Sequence, residues 1–231
     1  MNRNCNMHKK FYILLLAMVA LAGVFFYRQI IRTRQITIWR TAAPLISPNV
    51  VFIPDSDSEQ TLGNPGAAIT IVEFVDIGCN RCLSLHSTIK EFVLKHPQDI
   101  RLIWKDNVKP GILSDYTLAH QAAFCAGNPD FAAASTGEKN KFWEFLDIAI
   151  ANRNNLLEPG LKKIALGLNL DIEPWWLCAN SPETKQAITN SAQLANQLGI
   201  KSLPAIFVNN KLINTDKDVN IEEMLGNFIK K

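Results

Sequence analysis

The stretch Glu73-Phe-Val-Asp-Ile-Gly-Cys-Asn-Arg-Cys82 carries two cysteines, two residues apart, directly after a short apolar run. Residues 68–75 are apolar and β-branched, which is typical of a buried strand. Residues 80–95 repeat apolar side chains at helical spacing, and residues 100–104 form a second apolar run. The sequence therefore predicts a strand–helix–strand unit with parallel strands, and the cysteine pair lies where the first strand ends and the helix begins.

The position of Cys79 at the start of this helix has a chemical consequence. Free backbone N–H groups and the helix dipole stabilise a thiolate there and lower the pKa of such a cysteine. Arg81 adds a cation beside it, and the spacing of the motif lets Cys82 close a small disulfide ring. A C-x-x-C pair next to a βαβ pattern is a redox signature, so Cys79 and Cys82 are the candidate catalytic residues.

Other uses of the cysteine pair are weighed against this one. Haem attachment needs a histidine directly after the second cysteine, where this chain has Leu83. A metal site formed by Cys79, Cys82 and His86 remains an alternative, although no second pair of ligands follows. An inert pair of buried cysteines is a further alternative, and His86 is otherwise expected to be an ordinary half-exposed helix residue.

The remainder of the chain is read as a helical insert followed by a return to the sheet. Residues 113–198 have helical periodicity with breaks at Gly and Pro positions. A strand at 204–208, a two-residue Asn209-Asn210 turn, a strand at 211–213 and a final helix at 219–229 follow. We expect an α/β domain with inserted helices at 114–126, 139–151, 160–167, 172–179 and 182–198.

Two separated motifs resemble the DsbA-like branch of the thioredoxin superfamily. The first is the segment quoted above, and the second is Gly199-Ile-Lys-Ser-Leu-Pro-Ala-Ile-Phe-Val-Asn209, which is similar to that family's cis-proline loop. The segments 120–126 and 141–144 are similar to parts of the family's insert. The resemblance spans about 68–231 and implies a thioredoxin-like fold with an inserted helical subdomain at about 113–198.

The same resemblance implies roles for individual residues of the active site. Cys79 would be the exposed nucleophile and Cys82 the resolving cysteine. Pro204 would be the cis-proline packed against the disulfide, leaving the backbone of Leu203 open to pairing with a substrate strand. An ordinary edge-strand start is the alternative for Pro204.

Two further residue pairs take their expected roles from the resemblance. Glu73 and Lys105 match a buried acid and a lysine on neighbouring strands, a pair that can relay protons to Cys82; the alternative is a simple salt bridge. Cys125 and Cys178 match a second, structural disulfide in the insert, with two buried free thiols as the alternative.

The chain departs from the family pattern at two places. The dipeptide between the cysteines is Asn80-Arg81, where the family's oxidants commonly have a proline-containing pair. Leu203 stands before Pro204, where valine or threonine is usual. Both positions tune the redox potential and the choice of substrate, so the direction of electron flow is left open.

The N-terminal region has the layout of a membrane-targeting segment. Residues 11–27 form an uncharged apolar run flanked by basic residues. We expect an uncleaved transmembrane signal-anchor over 1–34, with a cleaved signal peptide as the alternative, and a tether over 35–67. Residues 36–39 and 50–53 are candidate short strands within that tether.

Charge separates this segment from the rest of the chain. Residues 1–40 hold seven basic residues and no acidic ones, which leaves 17 basic against 21 acidic residues, a net charge of −4, in 41–231. A nucleic-acid-binding protein is therefore not expected. A structural disulfide favours a location outside the cytosol, because stable disulfides belong to oxidising compartments.

Together these observations predict an enzyme that exchanges thiols and disulfides in the bacterial cell envelope. The expected activity is donation of disulfides to reduced exported proteins, on the periplasmic side of the inner membrane, without a bound cofactor. The resemblance implies reoxidation by a DsbB-like membrane partner. A reductase or isomerase of the same compartment is the alternative, and a non-catalytic metal-binding protein is an alternative of a different class.

Overall fold

The structure is a computed structural model that describes residues 51–54, 59–108, 116–131, 140–215 and 220–229, together with residues 18, 21–24, 26 and 27. The chain divides into two compact units, residues 1–46 and 47–231. The described residues of the first unit are helical. Within the described ranges no helix has the length and apolar character needed to cross a bilayer. The expected strand at 36–39 and most of the apolar run 11–27 lie outside the described residues.

A five-stranded mixed sheet, in the order β1-β3-β2-β4-β5, forms the centre of the second unit. The parallel pairing of β2 with β3 confirms the predicted strand–helix–strand unit, and the other pairs are antiparallel. The strands are β1 (Gln60–Gly63), β2 (Ile69–Val75), β3 (Ile100–Asp106), β4 (Ala205–Val208) and β5 (Lys211–Ile213).

Both faces of the central strands are covered, which explains why they are continuous apolar runs rather than alternating ones. Ile71 and Leu102 belong to the larger apolar cluster, which also includes residues of the helical insert. Phe74 and Ile103 belong to a smaller cluster on the other face of the sheet. The sheet is therefore the middle layer of the unit.

The described part of the second unit contains seven α-helices, besides two short 3₁₀ helices at Pro129–Phe131 and Arg153–Asn155. The five helices expected for the insert are all present, each with bounds within three residues of the predicted ones. The helices are α1 (Asn80–Lys95), α2 (Thr117–Ala126), α3 (Phe142–Ala151), α4 (Glu158–Gly167), α5 (Ile172–Asn180), α6 (Pro182–Gln197) and α7 (Ile221–Ile229).

The predicted hairpin turn between β4 and β5 is also present. Asn209 and Asn210 have φ values of 47° and 65°. A two-residue hairpin loop with positive φ at both positions is the type I′ geometry, and asparagine tolerates it better than most residues because its short polar side chain bonds locally. The Asn209 side chain accepts a hydrogen bond from Thr70 N–H at 2.8 Å, which ties the turn to β2.

The segment expected to be a tether, 35–67, contains a strand that the sequence did not predict. Gln60 of β1 pairs with Trp104, and Gly63 pairs with Arg101, so β1 is the antiparallel edge strand beside β3. Its sequence, Gln-Thr-Leu-Gly, holds a single aliphatic side chain and gives no periodic signal. The expected strand at 50–53 is wrong for its described residues 51–53, which are not in a strand.

Candidate active site

Cys79 and Cys82 form a disulfide at the N-terminus of α1, with an S–S distance of 2.07 Å. Cys79 is the N-cap residue, and its Sγ accepts a hydrogen bond from the backbone N–H of Cys82 at 3.1 Å. Cys79 is partly exposed, whereas Cys82 is completely buried. Cys79 is therefore the member of the pair that has surface open to solvent.

A tight turn delivers Cys79 to this position. The carboxylate of Asp76 accepts a hydrogen bond from Gly78 N–H at 2.7 Å, and the Asp76 carbonyl accepts one from Cys79 N–H at 3.0 Å. A Cβ atom at Gly78 would lie 2.8 Å from the ring of Tyr116, so a larger residue does not fit without movement of the ring. The turn is fixed by its own hydrogen bonds and by close packing.

The loop before β4 lies next to the same edge of the sheet. The Leu203–Pro204 peptide bond is cis, and Pro204 is buried. Ala205 pairs with Phe74 across β4 and β2, which brings Pro204 beside the end of β2 that leads into the cysteine turn. Leu203, partly buried, packs against both apolar clusters.

The expected Glu73–Lys105 pair is wrong. Glu73 is level with Trp104 in the parallel register, and Lys105 is level with Phe74. Neighbouring positions along a strand point to opposite faces, so Glu73 and Lys105 lie on opposite sides of the sheet. Lys105 instead forms a buried ion pair with Glu59.

Glu73 is paired with a residue for which the sequence suggested another role. Glu73 Oε1 lies 2.5 Å from Nδ1 of His86, and the side chains are 0% and 3% exposed. His86 was expected to be half-exposed or a metal ligand, but its ring is buried and stacked on Trp143 at a centroid distance of 6.0 Å. The two cysteines are bonded to each other, and the described residues contain no cluster of three or more potential metal ligands.

A second buried group beside the cysteine turn was not singled out as a site by the sequence. His120 of α2 places Nδ1 2.6 Å from Oδ1 of Asp106, and its Nε2 lies 3.0 Å from the backbone nitrogen of Ile77 and 3.5 Å from Oδ1 of Asp76. Asp106 also accepts a hydrogen bond from Trp104 Nε1 at 2.7 Å. We refer to Asp76, His120 and Asp106 as the carboxylate–histidine cluster.

The cluster has perturbed titration behaviour with a clear physical cause. Burial lowers the pKa of His120, but the hydrogen bonds and charges of Asp106 and Asp76 outweigh burial and raise the pKa to about 9. Burial raises the pKa of Asp76, but contacts with His120 and the hydrogen bond from Gly78 outweigh it and lower the pKa. The two carboxylates therefore favour the imidazolium form of His120, whereas the hydrogen bond that Ile77 N–H donates to Nε2 is that of the imidazole form.

The helical insert contains a second disulfide. Cys125 of α2 and Cys178 of α5 are bonded, with a Cα–Cα distance of 6.0 Å. Thr184 of α6 brings its hydroxyl within 3.4 Å of the Cys125 sulfur. Cys125 is fully buried, and the bond joins α2 to α5 through two cysteines that are 53 positions apart in the chain.

A mixed sheet with a cysteine pair at its first helix and a cis-proline loop beside it defines a protein of the thioredoxin class. The thioredoxin family profile matches residues 55–231, more than half of the chain. The chain therefore belongs to the thioredoxin family.

The chain is also similar to individual proteins with two different names. The chain is 24% identical over 179 residues to a Na(+)/H(+) antiporter NhaA 1 of Mycolicibacterium gilvum, covering 77% of this chain and 27% of the relative. It is 22% identical over 186 residues to a probable disulfide bond formation protein D of Bacillus cereus, covering 75% of this chain and 80% of the relative. The chain thus spans little more than a quarter of the length of the antiporter.

The fold is shared with solved structures of the DsbA type. The thiol-disulfide exchange protein α-DsbA2 of Wolbachia pipientis aligns with a TM-score of 0.59 and 19% identity, covering 75% of this chain and 87% of that one. These comparisons confirm the thioredoxin-like fold expected from the two motifs, and the structure that shares it is of the DsbA type that the motifs resemble.

Proposed function

We propose that this chain is a thiol–disulfide oxidoreductase whose redox centre is the Cys79–Cys82 disulfide. The observation that carries the proposal is the asymmetry of the pair, because Cys79 is reachable at a helix N-terminus while Cys82 is buried behind it. That arrangement suits a nucleophilic cysteine and a resolving cysteine. Arg81, exposed in the first turn of α1, adds a positive charge to the helix start two residues after Cys79.

The exchange proceeds in two steps that balance. A substrate thiolate attacks Cys79 Sγ, which forms a mixed disulfide and releases the Cys82 thiolate, and this thiolate takes up a proton. The second thiol of the substrate loses its proton and attacks the substrate sulfur of the mixed disulfide, which releases the Cys79 thiolate. The net reaction oxidises one substrate dithiol to a disulfide and reduces Cys79–Cys82 by two electrons.

The loop that contains Leu203 and Pro204 is proposed to bind the substrate. Its position beside the end of β2 supports this, since an extended segment that pairs with the Leu203 backbone would run past Cys79. Glu73 is buried between β2 and α1, where it is paired with His86. We propose that it relays protons to Cys82.

Donation of disulfides to reduced exported proteins is the proposed direction. The helix N-terminus at Cys79 supports it, because stabilisation of the reduced thiolate makes the disulfide a stronger oxidant. The name of the Bacillus cereus relative, a probable disulfide bond formation protein, agrees with this direction. A DsbB-like membrane protein is the proposed reoxidant.

An envelope location is proposed together with this activity. The Cys125–Cys178 disulfide supports an oxidising compartment, because buried structural disulfides are rare in the cytosol. The basic and apolar residues 1–34 support membrane anchoring on the periplasmic side, with a cleaved signal peptide as the alternative.

A reductase or isomerase of the same compartment is the second candidate. The Asn80-Arg81 dipeptide favours it, because it lacks the proline that is common between the cysteines of the family's oxidants. The two candidates differ in the equilibrium potential of the same cysteine pair.

The deciding experiment is a measurement of that potential by equilibration of the full chain with glutathione redox buffers. A disulfide donor is expected to have a potential closer to about −120 mV than to about −270 mV. A value near the lower limit would contradict donation and favour the reductase. A Cys79→Ser variant serves as the control, since it removes the couple and should show no transition.

A further inference from the structure

The carboxylate–histidine cluster is hydrogen-bonded to the backbone of the turn that leads into Cys79, the proposed nucleophile. Ile77, whose N–H points to Nε2 of His120 at 3.0 Å, precedes Cys79 by two residues. Asp76, 3.5 Å from the same nitrogen, accepts hydrogen bonds from Gly78 through its carboxylate and from Cys79 through its carbonyl. A side chain of the helical insert thus holds the turn on which the reactivity of Cys79 depends.

We propose that His120 is a positioning residue whose positive charge, acting through the turn of residues 76–79, stabilises the Cys79 thiolate. The inference rests on the proposed function, because it concerns the nucleophile of that exchange. It assigns to α2, an element outside the strand–helix–strand unit, a part in setting the reactivity of the redox centre.

The hydrogen bonds of the cluster depend on the protonation state of His120, and the structure has those of the imidazole form. In the imidazole form, Nδ1–H donates to Asp106 and Nε2 accepts from Ile77 N–H. In the imidazolium form, Nε2 carries a hydrogen, cannot accept from Ile77, and donates instead towards Asp76. Protonation of His120 therefore exchanges a backbone partner for a carboxylate partner in the turn before Cys79.

Charge balance links these arrangements to the redox state. The side chain of His120 is 0% exposed, and those of Asp76 and Asp106 are 13% and 11% exposed, so interactions among them are weakly screened. Reduction adds a thiolate at Cys79 to the two carboxylates already present. An imidazolium offsets this accumulation of negative charge, and an imidazole does not. Reduction of the disulfide and protonation of His120 should therefore favour each other.

The other charged groups near the turn do not supply the positive charge that we assign to the His120 imidazolium. Within the described residues, the titratable groups in contact with His120 are Asp76 and Asp106. Lys105 and Glu59, which line a cavity of about 310 Å³ together with Asp106, neutralise each other. Tyr116 packs its ring against Gly78, and Arg81 of α1 is exposed, where solvent screens its charge.

The test is the pH profile of alkylation at Cys79 in the reduced full-length chain. Iodoacetamide modification of the Cys79 peptide is followed by mass spectrometry for the wild type and for His120→Gln, which keeps a neutral acceptor but carries no charge. The midpoint of the His120→Gln profile is expected to rise by about one pH unit. His96→Gln is the matched control, because this histidine lies at the opposite end of α1, and its profile should follow the wild type.

A second measurement needs no variant and covers the case in which His120→Gln does not fold. The ring signals of His120 and the amide signal of Ile77 are titrated by NMR in the oxidised and reduced wild type. The midpoint of His120 should be higher in the reduced protein.

Two results would overturn the inference: superimposable alkylation profiles for wild type and folded His120→Gln, or equal His120 midpoints in both redox states. Loss of the proposed function is recognised separately, as a wild type that neither oxidises nor reduces a dithiol substrate.

Discussion

Nδ1 of His86 on α1 lies 2.5 Å from Oε1 of Glu73 on β2, and both residues are buried. The His86 ring also meets Trp104 edge-on at a centroid distance of 5.1 Å. Because His86 follows Cys82 by four residues on the same helix, this contact ties the helix that carries the redox pair to the strand beneath it. The Glu73–His86 pair is present where the family resemblance implied a Glu73–Lys105 pair.

Replacement of His86 should therefore destabilise the fold. His86→Ala removes a buried ring and leaves the Glu73 carboxyl group without this partner, so we expect the free energy of unfolding to fall by about 3 kcal/mol. Urea denaturation measures the change, and Ser87→Ala, at an exposed neighbouring position, should stay within about 0.5 kcal/mol of the wild type. The double variant Glu73→Leu/His86→Leu should lose less than the two single Leu variants together. Strict additivity would contradict the pairing.

Stability should depend on pH through His120. The pKa of His120 is raised from 6.5 to about 9 in the folded chain, so the folded state holds this proton more tightly than the unfolded state. The resulting stabilisation is fully present below about pH 6.5 and is lost as the pH rises through about 9, with a total of up to about 3 kcal/mol. Urea unfolding at several pH values should show this loss in the wild type and not in His120→Gln. Parallel curves for the two proteins would contradict the raised pKa.

The two cysteines of the redox pair should respond differently to substitution. In Cys82→Ser the Cys79 thiolate can attack a peptide disulfide, which forms a mixed disulfide and releases one peptide thiol, but the thiolate that resolves the mixed disulfide is missing, so covalent adducts should accumulate. Cys79→Ser should form none, because the buried Cys82 sulfur is out of reach. Non-reducing electrophoresis after incubation with a disulfide-linked peptide dimer compares the two variants. Equal adduct yields from both variants would show that the assignment of roles is wrong.

Removal of the second disulfide should affect stability and not exchange. Cys125→Ala/Cys178→Ala opens a link between residues 53 positions apart, for which the chain-entropy model gives about 4 kcal/mol. The melting temperature should fall, while the rate of exchange at Cys79 under conditions where the variant is folded should match the wild type. A lower rate of exchange at Cys79 in the folded variant would show that the insert disulfide contributes to the reaction as well.

Much of the fold was predictable because its signals are local. The apolar run of β2, the helical spacing of α1 and the Pro-Gly breaks in the insert each depend on a few neighbouring residues, and the observed elements follow them closely. The edge strand β1 was missed for the same reason. Its four residues have no apolar alternation, and they become a strand only because β3 offers an unpaired edge.

The candidate site divides in the same way. The sequence by itself determined the cysteine pair at a helix start and the order of strands and helices, since these are encoded in contiguous segments, and the resemblance implied the cis-proline loop. Tertiary structure alone decided which charged groups meet. Because of strand register and side-chain alternation, Glu73 pairs with His86 on one face of the sheet and Lys105 pairs with Glu59 on the other. The packing of α2 places His120 beside Ile77, 43 residues away in the chain. Burial removes the solvent, so the imidazole is hydrogen-bonded by groups of the protein.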